Sequence, residues 1–280
     1  MSQMTTKSDE TKEEVKPWVR RMGRFGYMSK GSVYGIVGIL ALLAALGVGG
    51  GETTDTSGAM QQVATLPFGE ILLWIVGIGL LFYVIWEFIR AILDPQHKGK
   101  DTRGIATRIA YAISGIIYGG LAVSAIQIAM HAGSGGGNSN QTISAMLLGQ
   151  PFGRLLIGIL GAGVIIYGLY NLYTGYKEKF MRKFILNDMN EHEKNLARKS
   201  GKIGLIARGV VLAMVGFFFM QTAITANPEE SKGLDGALGE IASQPYGQVL
   251  LGLTAAGLIL YAIYEIIRGR YARMNFGKDE

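Results

Sequence analysis

The sequence has no cysteine and only three histidines among its 280 residues. Without cysteine there can be no disulfide, no thiolate metal site and no Cys nucleophile. The histidines, His97, His131 and His192, lie too far apart in the chain for a typical zinc or haem pair. The HExxH, nucleophile-elbow and P-loop motifs are also missing. We therefore expect no catalytic residue, no metal, no cofactor and no enzymatic activity.

Charged residues are scarce as well. They make up 17% of the chain, whereas a soluble domain has about 25%. Hydrophobic residues make up 49%, and 41 residues are glycine. This composition indicates a protein that lies in a lipid bilayer. The net charge of +6 does not indicate nucleic-acid binding, because nearly all of the Lys and Arg excess lies in segments on one side of the apolar stretches.

The chain contains six long apolar stretches. Each is long enough to cross a hydrocarbon core of about 30 Å, which takes about 20 helical residues. Backbone groups in lipid must bond within the structure, and the stretches show no strand-like alternation, so we predict helices. The predicted spans are 31–48, 68–93, 109–130, 152–173, 203–226 and 246–267. The predicted fold class is therefore an all-α integral membrane protein with six transmembrane helices.

The basic residues predict an orientation. All but two of the 27 Lys and Arg residues lie in the N-terminal segment, the second and fourth connections, the C-terminal tail or the adjoining helix ends; the exceptions are Arg154 and Lys232. Cytoplasmic loops are rich in Lys and Arg, so this distribution predicts that both termini are cytoplasmic. Trp18, Arg20 and Arg21 are typical of a membrane interface and favour anionic lipids at the cytoplasmic face.

The chain contains three copies of one two-helix unit. A Pro-aromatic-Gly sequence opens the second helix of each copy, and a tyrosine follows sixteen residues after each proline. The prolines are Pro67, Pro151 and Pro245, and the tyrosines are Tyr83, Tyr167 and Tyr261. We predict three tandem helical hairpins that enter the membrane with the same polarity, and we expect them to be related by a pseudo-threefold axis.

The first helices of the repeats share a small-xxx-small pattern. In a membrane helix this spacing lets two backbones approach closely, so helix packing is a better interpretation than ligand binding. The positions are Gly31, Gly35, Gly115, Gly119, Gly209 and Ala213.

The connections between the two helices of each repeat lie on the predicted outer side. We predict that they contain short surface helices at 59–63, 143–147 and 237–241, each followed by a proline that begins the next membrane helix. A re-entrant, pore-lining role for these connections is the alternative. The basic connection 177–202 is predicted to continue the fourth membrane helix into the cytoplasm before the chain turns.

The repeats, with their Gly-x-x-Tyr entry and Pro-aromatic-Gly exit, resemble the bacterial membrane family called domain of unknown function 1206. The resemblance covers about Gly23 to Met274. The third repeat departs from it, with Leu205 where the first two repeats have Tyr27 and Tyr111, and Leu212 where they have Tyr34 and Tyr118. It implies a multi-pass protein of the bacterial cytoplasmic (inner) membrane and implies no activity. The predicted boundaries are an N-terminal segment 1–22, repeat 1 at 23–93, repeat 2 at 104–176, a basic connector 177–202, repeat 3 at 203–274 and a tail 275–280.

Ionisable side chains within membrane helices are candidates for function. At one position of the first helices the repeats have Lys30, Ser114 and Arg208, and at one position of the second helices they have Glu87, Asn171 and Glu265. The cation and the carboxylate occur together in a repeat or are both replaced. We therefore predict a tie between the two helices of each repeat, because a single buried charge is costly. A proton or ion relay is the alternative interpretation.

The tyrosines Tyr83, Tyr167 and Tyr261 form a second candidate set, together with the aromatic residues three positions later. An interfacial aromatic belt is the ordinary explanation. If the second helices line the pseudo-threefold axis, the same rings would form a constriction.

The leading functional hypothesis is a channel or transporter-like protein for an ion or small solute, because repeats often surround a translocation path. The alternatives are a non-transporting scaffold or interaction protein, whose basic connector 177–202 docks a soluble partner or anionic lipid, and a lipid-binding protein. A homo-oligomer is left open. The scarcity of charge at mid-membrane depth favours the alternatives.

Overall fold

The computed structural model of the chain describes residues 2–47, 64, 68–94, 101–130 and 139–272. Within these residues the fold is all-helical and contains no β-strand. The α-helices are α1 (Ser2–Leu46), α2 (Gly69–Leu93), α3 (Thr102–Ala129), α4 (Ser139–Leu148), α5 (Gly153–Tyr176), α6 (Glu191–Thr225), α7 (Leu234–Ser243) and α8 (Gly247–Tyr271). Short 3-10 helices occur at Lys179–Lys183, Leu186–Asp188 and Pro228–Glu230.

Six of these helices are long and apolar enough to cross a membrane. They are α1 from Arg20 onward, α2, α3 from Thr107 onward, α5, α6 and α8. The predicted spans all lie on these helices. The helix α1 runs without a break from Ser2 through the boundary that was predicted after residue 22. We refer to the side on which α2, α5 and α8 end as the basic side of the bundle.

The Pro-aromatic-Gly corners have the same conformation in all three repeats. Phe68, Phe152 and Tyr246 each adopt a left-handed backbone conformation, with φ values of 64°, 63° and 61°, and the helix begins at the glycine that follows. The prediction that proline begins the helix is therefore wrong by two positions. The glycine is required because a Cβ on Gly153 would lie 1.8 Å from the carbonyl oxygen of Leu147. A left-handed aromatic residue is strained, so its threefold recurrence indicates one repeated corner.

Two of the three predicted surface helices lie in α4 and α7; the one predicted at 59–63 falls outside the described residues. A buried chain of hydroxyl groups joins the connections of repeats 2 and 3. Ser231 Oγ lies 2.6 Å from Ser144 Oγ and 2.8 Å from Thr222 Oγ1. These hydrogen bonds attach both connections to the end of α6.

The basic connector differs from its prediction. The fourth membrane helix does not continue, because α5 ends at Tyr176 and Glu178 adopts a left-handed conformation. Two 3-10 turns follow, and Phe180 and Phe184 are buried beneath them. A reciprocal capping box between Asn190 and Glu193 then starts α6, so the end of the connector belongs to the first helix of repeat 3.

The six long helices pack in the order α3, α2, α1, α8, α6, α5. Helices of neighbouring repeats therefore pack along each other, as α2 with α3, α5 with α6 and α8 with α1. The two helices also pack along each other within repeat 1 and within repeat 3. In the described part of the chain, the two helices of repeat 2, α3 and α5, do not.

Candidate functional site

A buried polar cluster contains side chains from all six long helices. Its first cation is Lys30 of α1, which is 3% exposed. Lys30 Nζ donates to Glu265 Oε1 and to the Tyr83 hydroxyl, both at 3.4 Å. It also lies 5.1 Å from the ring centres of Tyr83 and Tyr118 and 5.7 Å from that of Tyr261. Aromatic rings attract a cation at these distances, so Lys30 is held by one carboxylate and three tyrosines.

Glu265 of α8 is fully compensated. Besides Lys30, its carboxylate accepts a hydrogen bond from the Tyr261 hydroxyl and two from Arg268 Nη1, at 3.3 and 3.4 Å. Arg268 lies one helical turn away and also donates to the Tyr27 hydroxyl at 3.2 Å. Both oxygens of this buried carboxylate therefore have cationic donors, which a buried charge requires.

Glu87 of α2 has a different environment from Glu265, although it occupies the same repeat position. Its Oε1 accepts a hydrogen bond from Arg90 Nη1 at 2.8 Å. The Arg90 guanidinium stacks 3.5 Å from the centre of the Tyr111 ring and donates to the Tyr27 hydroxyl at 3.4 Å. Glu87 Oε2 is buried, and no hydrogen-bond partner for it lies among the described residues.

Arg208 of α6 is the unusual member of the cluster. It is 5% exposed, and it donates to the hydroxyls of Tyr34 at 3.3 Å and Tyr167 at 3.4 Å and to Asn171 Oδ1 at 3.2 Å. Its guanidinium also lies 4.9 Å from the ring centre of Tyr261. Among the described residues no carboxylate forms an ion pair with it. A fully buried guanidinium is thus held by neutral acceptors and aromatic rings.

The cluster carries more positive than negative charge. Three buried cations and two buried carboxylates lie in it: Lys30, Arg90, Arg208, Glu87 and Glu265. The partly buried Arg268 adds a fourth cation at the edge. Removing charge from water costs several kcal/mol per ion unless it is compensated. The described part of the cluster therefore has a net positive charge.

The predicted pairing within each repeat is wrong in its partners. Lys30 of repeat 1 pairs with Glu265 of repeat 3, and Arg208 of repeat 3 bonds to Asn171 of repeat 2. The first helix of one repeat thus faces the second helix of the preceding repeat, with repeat 1 following repeat 3. Glu87 instead pairs with Arg90 on its own helix. Ser114, at the equivalent position of repeat 2, is half-buried on α3.

The small residues explain this choice of partners. A Cβ on Gly31 would lie 2.9 Å from the Ala262 carbonyl oxygen, and a Cβ on Gly209 would lie 2.8 Å from that of Gly168. Both contacts join neighbouring repeats. The remaining positions of the pattern face the same interfaces: Gly35 towards Ala262, Gly115 towards Phe88, Gly119 towards Val84 and Ala213 towards Gly168. These helices approach closely enough to bring the charged groups together.

The three repeat tyrosines do not share one environment. Tyr83 and Tyr261 are 3% and 1% exposed, whereas Tyr167 is 42% exposed, although its hydroxyl reaches Arg208. The aromatic residues three positions later differ in the same way: Trp86 and Tyr264 are 1% exposed and Tyr170 is 52% exposed. Repeat 2 therefore leaves its side of the cluster open.

Sequence reasoning missed Tyr34 and Tyr118 as members of the site. Tyr34 packs edge-on against Tyr261, and Tyr118 packs in the same way against Tyr83, both with ring centres 4.9 Å apart. The two residues occupy the same repeat position and were assigned only to the family motif. Their shared repeat position is the sequence signal that could have identified them as members of the site. Among the described residues no group of three His, Cys, Asp or Glu side chains is placed to hold a metal ion.

Comparison with known proteins identifies the family of the chain. The sequence profile of the family described as Domain of Unknown Function (DUF1206) matches residues 25–94, 109–178 and 203–272. A Bacillus subtilis (strain 168) protein named "Uncharacterized protein YxxB" is 40% identical over 267 residues, which span 95% of this chain and 96% of that protein. No solved structure matches the chain.

Proposed function

The chain belongs to the three-repeat family of the Domain of Unknown Function (DUF1206), and we propose that it is a channel or transporter-like membrane protein for a small anion. The family description names no activity, so the proposal is based on the polar cluster. The observation that carries it is Arg208, which is buried and bonded only to neutral acceptors.

Charge balance supports an anion as the solute. Glu265 is surrounded by Lys30, Arg268 and a tyrosine hydroxyl, so its negative charge is already neutralised. Among the described residues, Arg208 has no carboxylate within ion-pair distance, although it is buried. An anion that accepted from its guanidinium would replace weaker bonds to neutral oxygens with charge-assisted ones.

The proposed architecture places this cluster at the centre of the bundle. Equivalent helix pairs, α8 with α1, α2 with α3 and α5 with α6, join successive repeats, which supports a pseudo-threefold arrangement of three hairpins. The distribution of Lys and Arg supports insertion into a bacterial cytoplasmic membrane with both termini in the cytoplasm. The basic side of the bundle is then the cytoplasmic side.

The packing favours an occluded transporter over a permanently open channel. Tyr83, Tyr118 and Tyr261 surround Lys30, and all three rings are buried. An anion that crosses the bundle would have to displace the tyrosine hydroxyls from the cations. We assign these residues a binding and gating role, and we assign no catalytic one.

The test is anion flux in liposomes that contain the purified protein, with chloride and inorganic phosphate as separate probes. Arg208→Gln should reduce the flux by about tenfold or more, because a hydrogen bond to a charged group contributes about 1.5–3 kcal/mol. Arg208→Lys keeps the charge and should retain part of the flux. The control is Lys199→Gln on the exposed part of the same helix. Equal flux in the wild type, Arg208→Gln and protein-free liposomes would contradict the proposal.

A second candidate function is a non-transporting scaffold, and the basic connector favours it. This segment is fixed by contacts with α6 and α8: Lys202 and Arg198 pair with Glu178, and the Tyr271 hydroxyl donates to Glu193 at 2.6 Å. A rigid basic surface would suit anionic lipid or a soluble acidic partner, and a homo-oligomer would be compatible with it. Binding to anionic vesicles that is unaffected by Arg208→Gln, together with absence of flux, would favour this function.

A further inference from the structure

The two helices of repeat 2 are the least covered of the six. In the most apolar stretch of α1, α2, α6 and α8, 44% of the residues are buried, but the shares are only 24% in α3 and 22% in α5. Each of these two helices packs along one long neighbour, and in the described part of the chain they do not pack along each other. An opening between α3 and α5 therefore faces the bilayer.

The sequence of repeat 2 accounts for this opening. In repeats 1 and 3 the hairpin closes through a glycine: a Cβ on Gly26 would lie 2.6 Å from the Tyr83 backbone nitrogen, and one on Gly204 would lie 2.4 Å from that of Tyr261. Repeat 2 has Ala110 at this position. In the same crossing, the Ala110 Cβ would lie closer to the facing backbone than real Cβ atoms do. The helices α3 and α5 therefore cannot cross in this way.

A second substitution acts at the next turn of the same helix. Ser29 and Ala207 contact Gly79 and Gly257 in the closed repeats, whereas repeat 2 has the larger Ile113. A Cβ built on Gly163, the partner position in repeat 2, would meet nothing within 4 Å. Ala110 and Ile113 of repeat 2 are bulkier than the residues at the same positions of repeats 1 and 3. These two side chains therefore account for the opening.

The opening leads to the excess cation of the cluster. Tyr167 lies on its α5 side; the residue is 42% exposed, and its hydroxyl accepts a hydrogen bond from Arg208 Nη1 at 3.4 Å. Further along α5, towards the basic side, Lys179 Nζ donates to the Tyr173 hydroxyl at 2.7 Å. The route past Tyr167 therefore ends at the positive charge of Arg208, and a second positive charge, that of Lys179, lies towards the basic side.

We propose that this opening seats a negatively charged phospholipid of the bilayer, whose acyl chain lies between α3 and α5 and whose phosphate group is directed towards Tyr167 and Arg208. The inference rests on the proposed anion role of Arg208 and adds a lipid phosphate group as an anion at that site. Lipid is the occupant that the charges favour over a second copy of the chain. The described exposed side chains of α3 and α5 within their spans include no carboxylate, so a copy docked through this face would bring none to Arg208.

The experiment measures contact between the opening and labelled lipid. Because the chain has no cysteine, Gly163→Cys provides a single site for a bimane fluorophore in the opening, and Ala256→Cys on the exposed surface of α8 provides the matched control. Each protein is placed in vesicles that contain dibrominated phosphatidylglycerol or dibrominated phosphatidylcholine, both of which quench bimane on contact. The proposal expects about fivefold stronger apparent binding of phosphatidylglycerol at Gly163→Cys, with no preference at Ala256→Cys.

A second pair of variants tests the origin of the opening. Ala110→Gly combined with Ile113→Ala gives repeat 2 the residues of repeat 3, and it should close the opening and remove the phosphatidylglycerol preference. The same chemical changes on exposed positions of other helices, Ala256→Gly with Ile78→Ala, should leave it intact. Arg208→Gln should also remove the preference while leaving quenching by phosphatidylcholine unchanged.

The outcomes separate this inference from the proposed function. Equal quenching by the two lipids at Gly163→Cys would overturn the lipid seat, and anion flux that still depends on Arg208 would then leave the proposed function standing. If neither a lipid preference nor an Arg208-dependent flux is found, both the lipid seat and the proposed function are overturned. Protection from all lipid quenching, together with cross-linking between copies through Gly163→Cys, would assign the opening to a protein partner and would also overturn the lipid seat.

Discussion

The buried charges of this protein are compensated in two different ways. Lys30 and Glu265 neutralise each other, with Arg268 supplying a second cation to the carboxylate. Arg208 relies on tyrosine hydroxyls and on Asn171. The first arrangement is complete in itself and stabilises the fold. The second leaves a positive charge that a ligand can neutralise, and this difference between equivalent positions is the basis of the functional proposal.

A substitution at Glu265 tests the structural role of the first arrangement. Glu265→Gln should lower the free energy of unfolding by about 3–5 kcal/mol, because it leaves two cations without their carboxylate. The double variant Glu265→Gln/Lys30→Met should lose less, since it removes one of those cations too. Thermal unfolding in detergent gives the comparison, with the exposed Glu70→Gln as control. A double variant that is less stable than Glu265→Gln would show that the pair is not a compensating unit.

At the residue scale the sequence predicts which positions are polar but does not predict their partners. Lys30, Arg208 and Glu265 were identified because the repeat register aligns them at one depth. That register is compatible both with a partner in the same repeat and with one in the next. The close approach of Gly31 to Ala262 places the partner of Lys30 in a neighbouring repeat. This distance is known only from the packed structure.

At the scale of helices, the same crossing is made in two repeats and avoided in the third. Gly26 and Gly204 allow the two helices of their hairpins to meet at backbone distance, and Ala110 prevents it. The information was present in the aligned sequences. The predicted packing pattern begins five residues later, at Gly31, and therefore does not include Gly26, Ala110 or Gly204.

Two glycine variants test this account of the crossings. Gly204→Ala should lower the free energy of unfolding by about 1–3 kcal/mol, because the new methyl group meets the Tyr261 backbone. Gly163→Ala should be neutral or should stabilise by up to about 1 kcal/mol, since alanine favours the helix and open space surrounds the position. Chemical or thermal unfolding in detergent measures both. Equal destabilisation by the two variants would mean that α3 and α5 do pack closely in the protein.

The basic connector illustrates a second limit at this scale. Its alternation of charged and apolar residues favoured a continued helix, but Phe180 and Phe184 are buried beneath 3-10 turns and α6 starts at the Asn190 cap. Tertiary burial of these two rings overrides local helix propensity here. The spacing of Asn190 and Glu193, three residues apart, is the sequence signal for this cap.

At the scale of the whole molecule, the sequence was most informative. The all-helical fold, the six apolar helices and the resemblance to the three-repeat family are confirmed. Long apolar stretches admit few alternatives in lipid, and a repeated motif defines its own boundaries. The pseudo-threefold arrangement and the cytoplasmic location of the termini remain predictions. The order of the helices could not be predicted, because it depends on which small residues meet.

The central claim is that the positive charge on Arg208 is completed by an anion. An electron cryomicroscopy map of the protein in nanodiscs that contain phosphatidylglycerol tests it most directly. We predict density for an anionic group within hydrogen-bond distance of the Arg208 guanidinium and the Tyr167 hydroxyl, absent from the same map of Arg208→Gln. A map in which Arg208 is bonded only to Tyr34, Tyr167 and Asn171, or is paired with a carboxylate of the chain, would contradict the account.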